Sequence, residues 1–217
     1  MQRFFDILFS FTAIIFFSPI LIVTALLLLS TGENKVIYIQ KRVGHGGRVF
    51  RLIKFATMLE NSADSGTITF DCDPRILPLG RLLRKSKINE LPQLLNIFFG
   101  DMSIIGPRPL TEETFSYYSS DVSQLIIKLK PGLSGIGSIF FRDEQSLLNN
   151  GNYLNVYKNK IAPYKGKLEV WYSENNTLIN YFKLIFATII IIFFPKIDIL
   201  NFLFKDLPSQ PSHIKFN

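Results

Sequence analysis

The chain has 217 residues, 47% of them hydrophobic, with 21 Phe, a net charge of +7 and a pI near 9.5; that length fits one domain of ordinary size plus a membrane element. The positive charge suits nucleic acid, an anionic membrane or a phosphorylated substrate, and a mean hydropathy of +0.23 favours the last two. The single cysteine, Cys72, excludes an internal disulfide and fits a reducing compartment.

Ile7 to Leu29 is uncharged and mostly apolar, with Arg3 and Asp6 before it and Glu33 and Lys35 after it. Its length of about 23 residues is enough to span a bilayer once. The thin basic region, the long apolar run and the missing small-residue cleavage pattern argue against a cleaved signal. Ser18-Pro19 stands at the middle. Pro19 has no N–H and its ring clashes with the carbonyl of Ile15, while Ser18 can help to satisfy the freed backbone groups. Each arm has about a dozen residues and reaches only about 18 Å. Lys35, Lys41, Arg42, Arg48, Arg51 and Lys54 place the downstream domain in the cytoplasm, and Arg3 gives the short N-terminus the same preference. Both ends on one side means a re-entrant hairpin over 1–31, broken at Ser18-Pro19; a kinked spanning helix is the alternative.

Residues 36–55, "VIYIQKRVGHGGRVFRLIKF", alternate apolar and polar side chains about a turn holding Gly44, Gly46 and Gly47, which predicts a β-hairpin. The glycines match neither a dinucleotide fingerprint nor a P-loop. His45 reads as solvated, and with one Cys and His213 far off in the tail a zinc site is not expected. The turn-rich segment after it carries Asp64, Asp71 and Asp73, which read as loop solubilisers. Leu79 to Lys87 predicts a short basic helix with Arg81, Arg84, Lys85 and Lys87.

Leu91, Leu94, Leu95 and Phe98 mark one face of a helix. Asn89 suits its N-cap, Pro92 its first turn and Gly100 its end. Glu90 then sits at a positive helix end, beside N–H donors that attract phosphate. "GDMSIIGPRP" predicts a short strand and a rigid turn in which Pro107 and Pro109 hold Arg108 for bidentate phosphate binding. For Asn89, Glu90 and Arg108 the plainer reading, helix start and surface turn, stands beside the functional one. Lys130 to Ser138 reads as a turn cluster. Leu168 to Lys183 predicts an amphipathic helix with Trp171, Tyr172 and Tyr181, and Leu184 to Phe194 an apolar segment too short to span. Together they read as an interfacial element or, equally, a core helix. Residues 205–217 read as a mobile tail.

These pieces, and above all "QKRVGHGGRVFRLIKFATM", "DPRILPLGRLLRKSKINELPQLLNIFFGDMSIIGPRP" and "KPGLSG", resemble the bacterial sugar transferases that are monotopic phosphoglycosyl transferases. The resemblance covers nearly the whole chain. It implies a small α/β (α+β-like) cytosolic domain, residues 32–204, on the inner leaflet of a bacterial inner membrane, with a re-entrant helix and interfacial helices. It also implies transfer of a sugar 1-phosphate from a UDP-sugar to undecaprenyl phosphate with Mg²⁺, releasing UMP, as the initiating step of surface glycan synthesis. Downstream glycosyltransferases would take the product. Glu90, Asn89 and Lys54 are then the expected catalytic residues, Arg75, Arg84, Gln93 and Arg108, with Pro107 and Pro109, the expected phosphate and nucleotide contacts, and Glu90 also the metal ligand. Two positions depart from the family pattern. Its Asp-Glu dyad is Asn89-Glu90 here, and its Lys-Phe-Arg-Thr-Met is "KFATM", with Ala56 in place of Arg. In the family the dyad Asp is the nucleophile, which an amide cannot replace. Glu90 as nucleophile, direct attack by the polyprenyl phosphate, and an inactive membrane scaffold are the three readings. A nucleic-acid partner is not expected, because the ends are apolar and no recognised binding motif is present.

Overall fold

The structure is a computed structural model and describes residues 1–31, 34–60, 62, 68–70, 73–148, 153–195 and 197–211. Asp64, Asp71, Cys72 and His213 lie outside the described residues.

Helix α1 is a 29-residue helix, Gln2–Ser30, and the one described helix long and apolar enough to cross a membrane. It runs through Pro19 without losing helical assignment. The break expected at Ser18-Pro19 is confined to one carbonyl. The ring removes the donor that Ile15 would have received, and Ser18 Oγ donates to that oxygen at 2.8 Å. Both ends of α1 pack on the rest of the chain. Leu28 is buried near the C-terminal end, in a cluster with Phe55 and Leu83. At the other end Asp6 is buried, and Arg3 donates to the carbonyls of Ile97 and Phe98. Most of the remaining surface is bare apolar side chain, with Phe16 74% and Ile22 60% exposed.

Strands β1 (Ile37–Val43) and β2 (Val49–Phe55) pair antiparallel, with Tyr38 opposite Lys54 and Arg42 opposite Phe50. The turn is a 3-10 segment, His45–Gly47, whose glycines take φ of 67° and 75°, and His45 is exposed as expected. Helix α2 is Pro78–Lys85, with proline in its first turn. It packs on the segment just after β2 through Gly80, where a Cβ would fall 2.2 Å from the Thr57 carbonyl oxygen.

Helix α3 is Gln93–Phe99 and ends at Gly100, φ 100°, as expected. Its start is not where the sequence suggests. Asn89 caps nothing: Lys87 takes φ 61°, Ile88–Glu90 forms a separate 3-10 turn, and Pro92 precedes α3 without a side-chain cap. The buried face is also shifted. Gln93, Leu94, Asn96 and Ile97 are buried, while Leu95 is 38% exposed. The cause is Asn96, whose amide behaves as an extra strand residue. Its Nδ2 donates to the Arg51 carbonyl at 2.8 Å and its Oδ1 accepts from Ile53 N–H at 2.9 Å.

Strand β3 is Ser103–Ile105, as predicted. Two short helices follow it, α4 (Glu112–Phe115) and α5 (Ser120–Ile126). The supposed turn cluster beyond residue 130 contains a second strand, β4 (Gly132–Ser134), parallel to β3, and leads into a short helix, α6 (Ile136–Phe140). Glycines make this crossing possible. A Cβ on Gly132 would lie 2.1 Å from Gly106 N, and one on Gly135 2.1 Å from Gly106 O. Among the described residues there are thus two sheets of two strands each, set among helices.

The C-terminal third is helical. Helix α7 (Tyr153–Val156) leads into a π-turn, Tyr157–Ile161, then α8 (Ala162–Glu174), α9 (Leu178–Phe193) and α10 (Ile199–Leu203). The single amphipathic helix expected over Leu168 to Lys183 is two. Asn175 ends α8 by donating to the Trp171 carbonyl, and Thr177 caps α9 by accepting from Asn180 N–H. The two pieces differ in burial. Helix α8 is core, with Leu168, Glu169 and Tyr172 buried. Helix α9 is two-faced, with Tyr181, Leu184 and Ala187 buried and Phe186, Ile189 and Phe193 exposed. The start of the expected mobile tail is docked. Asp206 accepts from Trp171 Nε1 at 3.1 Å, and the Pro208 carbonyl accepts from the Tyr164 hydroxyl at 2.8 Å.

The Asp6 carboxylate ties these parts together. Its Oδ1 accepts from Ser103 Oγ, Ile104 N–H and the Tyr181 hydroxyl, each at 2.9 Å. Asp6→Ala strands three buried donors, so we expect a loss of about 2–4 kcal/mol, or a Tm lower by roughly 5–15 °C, in detergent or nanodiscs. Asp6→Asn keeps an acceptor and should lose less. An unchanged Tm in Asp6→Ala would refute this anchoring role.

Candidate functional site

The hairpin supplies one wall. Tyr38, Gln40 and Arg42 alternate on one face of β1, and the register puts Lys54 on that same face. Gln40 Oε1 accepts from Arg42 Nη2 at 2.7 Å and from Lys54 Nζ at 3.2 Å, and the Lys54 ammonium sits 5.2 Å from the Tyr38 ring centre. Arg42 also donates to the Pro109 carbonyl at 3.0 Å, which ties the hairpin to the Arg108 turn.

The second wall is the segment from α2 to α3. Helix α2 brings Arg84, and the left-handed Lys87 turns the chain so that Asn89 and Glu90 follow at once. A lysine at φ 61° costs about 1 kcal/mol that a glycine would not. The strain is stored where the chain must present two consecutive polar side chains.

The third wall is the β3 turn. Gly106 N–H donates to the Ser134 carbonyl at 3.0 Å, and the Pro107 carbonyl accepts from Gly132 N–H at 2.8 Å. The backbone around Arg108 is therefore fixed from β4. Arg108 Nη2 meets Glu90 Oε1 at 3.3 Å.

These walls enclose a cleft of about 2090 Å³. Lys54, Arg84, Asn89, Glu90, Gln93 and Arg108 all line it, as expected, and Pro109 does too. Pro107 stands behind as a support. Ser18 and Pro19 lie on α1, away from the cleft. Arg75 does not line it. Its Nε and Nη2 grip both oxygens of the fully buried Asp73, at 2.9 and 2.6 Å, and its remaining donors reach the Ser62 and Ile68 carbonyls. Asp73 is thus no solubiliser, and Arg75 holds a loop together.

Several cleft residues were not foreseen as such. Arg42 was legible in principle, because it shares the alternating face of Gln40 and Lys54. Lys165, buried and ion-paired with Glu144, also lines the cleft, but its partner is 21 residues away and no local pattern links them. Behind the cleft, outside its lining, Glu169 on α8 is buried close to Lys165 and the backbone of Arg108. Burial pushes its carboxyl up to about 7, against the pull of Lys165.

The inner cleft is cationic. Arg42, Lys54, Arg84, Lys87 and Arg108 all interact electrostatically with Glu90. Burial works to raise the Glu90 carboxyl, but Arg108, Lys87 and Lys54 outweigh it and hold it below its usual value. Burial, then repulsion from Arg42 and Arg84, brings Lys54 down to about 7. Arg42 is lowered to about 10, first by burial and then by Arg108. Such an array lacks anions and suits phosphate groups. Opposite it the cleft is apolar, lined by Phe9, Ala13 and Phe17 of α1 and by Ile185, Ile189 and Ile192 of α9.

Among the described residues no three His, Cys, Asp or Glu side chains gather to cage a metal. A single carboxylate, Glu90, faces the cationic surface of the cleft; one carboxylate fits a Mg²⁺ that would take its other ligands from substrate phosphates and water. Glu90 would be its protein ligand, and the ion would neutralise charge on a diphosphate.

Comparison with known proteins agrees with this chemistry. A family model described as Bacterial sugar transferase matches residues 1–195. The exopolysaccharide production protein ExoY of Sinorhizobium fredii is 33% identical over 204 residues, covering 87% of this chain and 83% of that protein. ExoY of Rhizobium meliloti is 36% identical over 162 residues, 67% of this chain and 71% of that protein. A UDP-N-acetylgalactosamine-undecaprenyl-phosphate N-acetylgalactosaminephosphotransferase of Aeromonas hydrophila is 38% identical over 137 residues, 62% of this chain and 32% of that larger protein.

Lys54 gives a pH test. Its folded value, about 7, lies below 10.5, so between those values the unfolded chain binds more protons and stability rises with pH. Without ligand, Lys54→Met should melt higher than the parent at pH 7, and the gap should narrow toward pH 10. A gap independent of pH would mean that Lys54 is not desolvated in this way.

Proposed function

The chain belongs to the bacterial sugar transferase family, and on that premise we propose that it transfers a sugar 1-phosphate from a UDP-sugar to undecaprenyl phosphate. The products are undecaprenyl-diphosphate-sugar and UMP. The observation that carries the reading is the two-sided cleft, cationic on the hairpin and Arg108 side and apolar on the α1 and α9 side. A polyprenyl phosphate has the matching halves, a charged head and a hydrocarbon tail. A UDP-sugar brings a diphosphate to the same cations. Phosphoryl transfer asks mainly for positioning and charge stabilisation, which Arg108 on its braced turn, Arg84, Lys54 and Mg²⁺ held by Glu90 would supply.

Location follows from the same wall. Both ends of α1 pack on one domain, so the helix cannot put its ends on opposite sides of a hydrocarbon layer about 30 Å thick without drawing that domain in. This supports a monotopic protein with both ends of α1 on one side of the membrane. Phe5 and Phe9 of α1 meet Phe182 of α9, so the exposed apolar faces of the two helices lie side by side. With the basic residues after α1, the domain faces the cytoplasm of a bacterial inner membrane. The product would be the first lipid-linked sugar of a surface glycan, passed on to further glycosyltransferases.

Asn89 favours a second reading, an inactive family member serving as a membrane scaffold. Purified protein in nanodiscs with Mg²⁺, undecaprenyl phosphate and a panel of UDP-sugars separates the two. UMP release supports the enzyme, and silence across the panel supports the scaffold. In an active protein, Arg108→Lys loses the planar fork and should lower kcat/KM roughly 10–100-fold. Glu90→Gln should raise the Mg²⁺ concentration needed for half-maximal rate. Full activity at unchanged Mg²⁺ in Glu90→Gln would remove Glu90 from the site.

A further inference from the structure

We propose that one wall of the cleft, formed by Ser138, Glu144, Tyr157 and Lys165, is the subsite for the sugar ring of the nucleotide sugar, and that Glu144 and Lys165 select that sugar through its hydroxyl groups. This rests on the proposed transferase reading for the kind of substrate and names the part of the cleft that tells one sugar from another.

Two stretches of chain build the wall. Ser138 lies on α6, and Glu144 opens the 3-10 turn that follows it, Glu144–Leu148. Tyr157 opens the π-turn, and Lys165 lies further along, in α8. In an α-helix four residues overshoot a full turn by about 40°, so residues eight apart drift onto different faces. A π-turn takes more residues per turn and offsets that drift. Tyr157 and Lys165 therefore share a face: Lys165 Nζ lies 5.9 Å from the Tyr157 ring centre and 5.5 Å from that of Phe141. The same ammonium donates to Glu144 Oε2. All of these residues line the cleft.

Packing alone does not ask for such a wall. An ion pair loses hydration on burial, and apolar side chains of the same volume would hold α8 against α6 at least as well. The two helices already meet closely at Gly137, where a Cβ would fall 3.3 Å from Lys165 Cγ. Lys165 is 2% exposed, while Glu144 keeps 22% of its side chain accessible. Ser138 Oγ is buried without a hydrogen-bond partner. The wall thus presents a carboxylate, an ammonium and a hydroxyl beside aromatic rings.

Those groups choose the occupant. The Glu144 carboxylate repels phosphate, and its partner Lys165 is already paired, so this is not a diphosphate site. Hydrocarbon laid here would cover polar groups and give them no partner. A sugar ring is uncharged, and its hydroxyls both donate and accept. The carboxylate can accept from one hydroxyl and the ammonium donate to the next, with an apolar face of the sugar on the Tyr157 ring. The position agrees. Glu144 interacts electrostatically with Arg108, the cation assigned to the diphosphate, and the sugar hangs from that diphosphate.

The test uses the full chain in nanodiscs with Mg²⁺, the UDP-sugar it turns over best, epimers of that sugar, and UDP as a ligand without a sugar. In Glu144→Gln the preference in kcat/KM for the best sugar over its epimers should shrink about tenfold or more, because a site built to hydrogen-bond a hydroxyl discriminates through it. That ratio is internal to each preparation, so a loss of folded protein from leaving Lys165 unpaired does not alter it. Tyr157→Phe and Ser138→Ala are milder. Each should raise KM for the UDP-sugar severalfold, while KM for undecaprenyl phosphate and the inhibition constant of UDP stay within about twofold of the parent. An unchanged preference in Glu144→Gln, or an unchanged KM in both milder variants, would overturn the assignment and leave the transferase reading intact. Equal losses for UDP-sugar and UDP would do the same, and would put the nucleotide at this wall. If no UDP-sugar is turned over, the transferase reading falls and titration calorimetry decides. Tighter binding of a UDP-sugar than of UDP, lost in Tyr157→Phe, would support the subsite; equal binding of the two by the parent would overturn it.

Discussion

One oxygen atom, Oδ1 of Asp6, accepts from strand β3 twice and from helix α9 once, and these three hydrogen bonds set where the apolar helix stands. The carboxylate is 2% exposed and would be costly to bury without donors. Because strand β3 runs straight into Gly106, Pro107 and Arg108, the bonds that dock α1 also fix the base of the phosphate-binding turn. Arg3, one turn earlier, closes the C-terminal end of α3 by donating to its last carbonyls. Two residues at the start of the chain thus orient both elements that flank Glu90. The wall that meets hydrocarbon and the floor that meets phosphate are registered to each other through strand β3.

The site that results is uncomfortable on its own. Arg42, Lys54, Arg84, Lys87 and Arg108 repel one another, and Lys54 pays for its burial with a value near 7. Arg42 Nε is buried without a partner. None of this stabilises the unliganded chain. It becomes favourable when anions bind, because ligand that binds only the folded state adds stability by mass action. The glycines at 106, 132 and 135 serve the same end. They let two backbones approach where side chains would have spread them, so the turn is rigid before substrate arrives.

What the sequence made legible follows physical rules of short range. Residues 36–55 form a hairpin because alternation and a glycine turn are local signals. Helix α2 begins at its proline and α3 ends at Gly100, two more local signals. The misreadings share a cause as well. Asn89 looked like a cap because asparagine before an apolar stripe usually is one; the left-handed Lys87 that displaced the helix start has no sequence signature. Asn96 lies off the apolar stripe and drew no reading, yet it pairs with strand residues more than 40 positions earlier. Arg75 looked like one more phosphate ligand, and its partner Asp73 was only two residues away but read as loop polarity. Strand β4, three residues long and one-third glycine, carries too little pattern to be seen without its partner. Lys54, Glu90 and Arg108 were each ambiguous alone and became a site through the resemblance and through the fold.

The Asp6 hydrogen bonds also span the chain in an unusual way. Two of the partners lie 97 and 98 residues further on, and the third 175 residues further on. During synthesis α1 leaves the ribosome long before Ser103 or Tyr181 exists, and it is apolar enough to seek lipid at once. Its carboxylate then waits at the water boundary until β3, and finally α9, is made. The helix is an early landing site on which the rest of the chain assembles, and the order of folding is written into one side chain near the start.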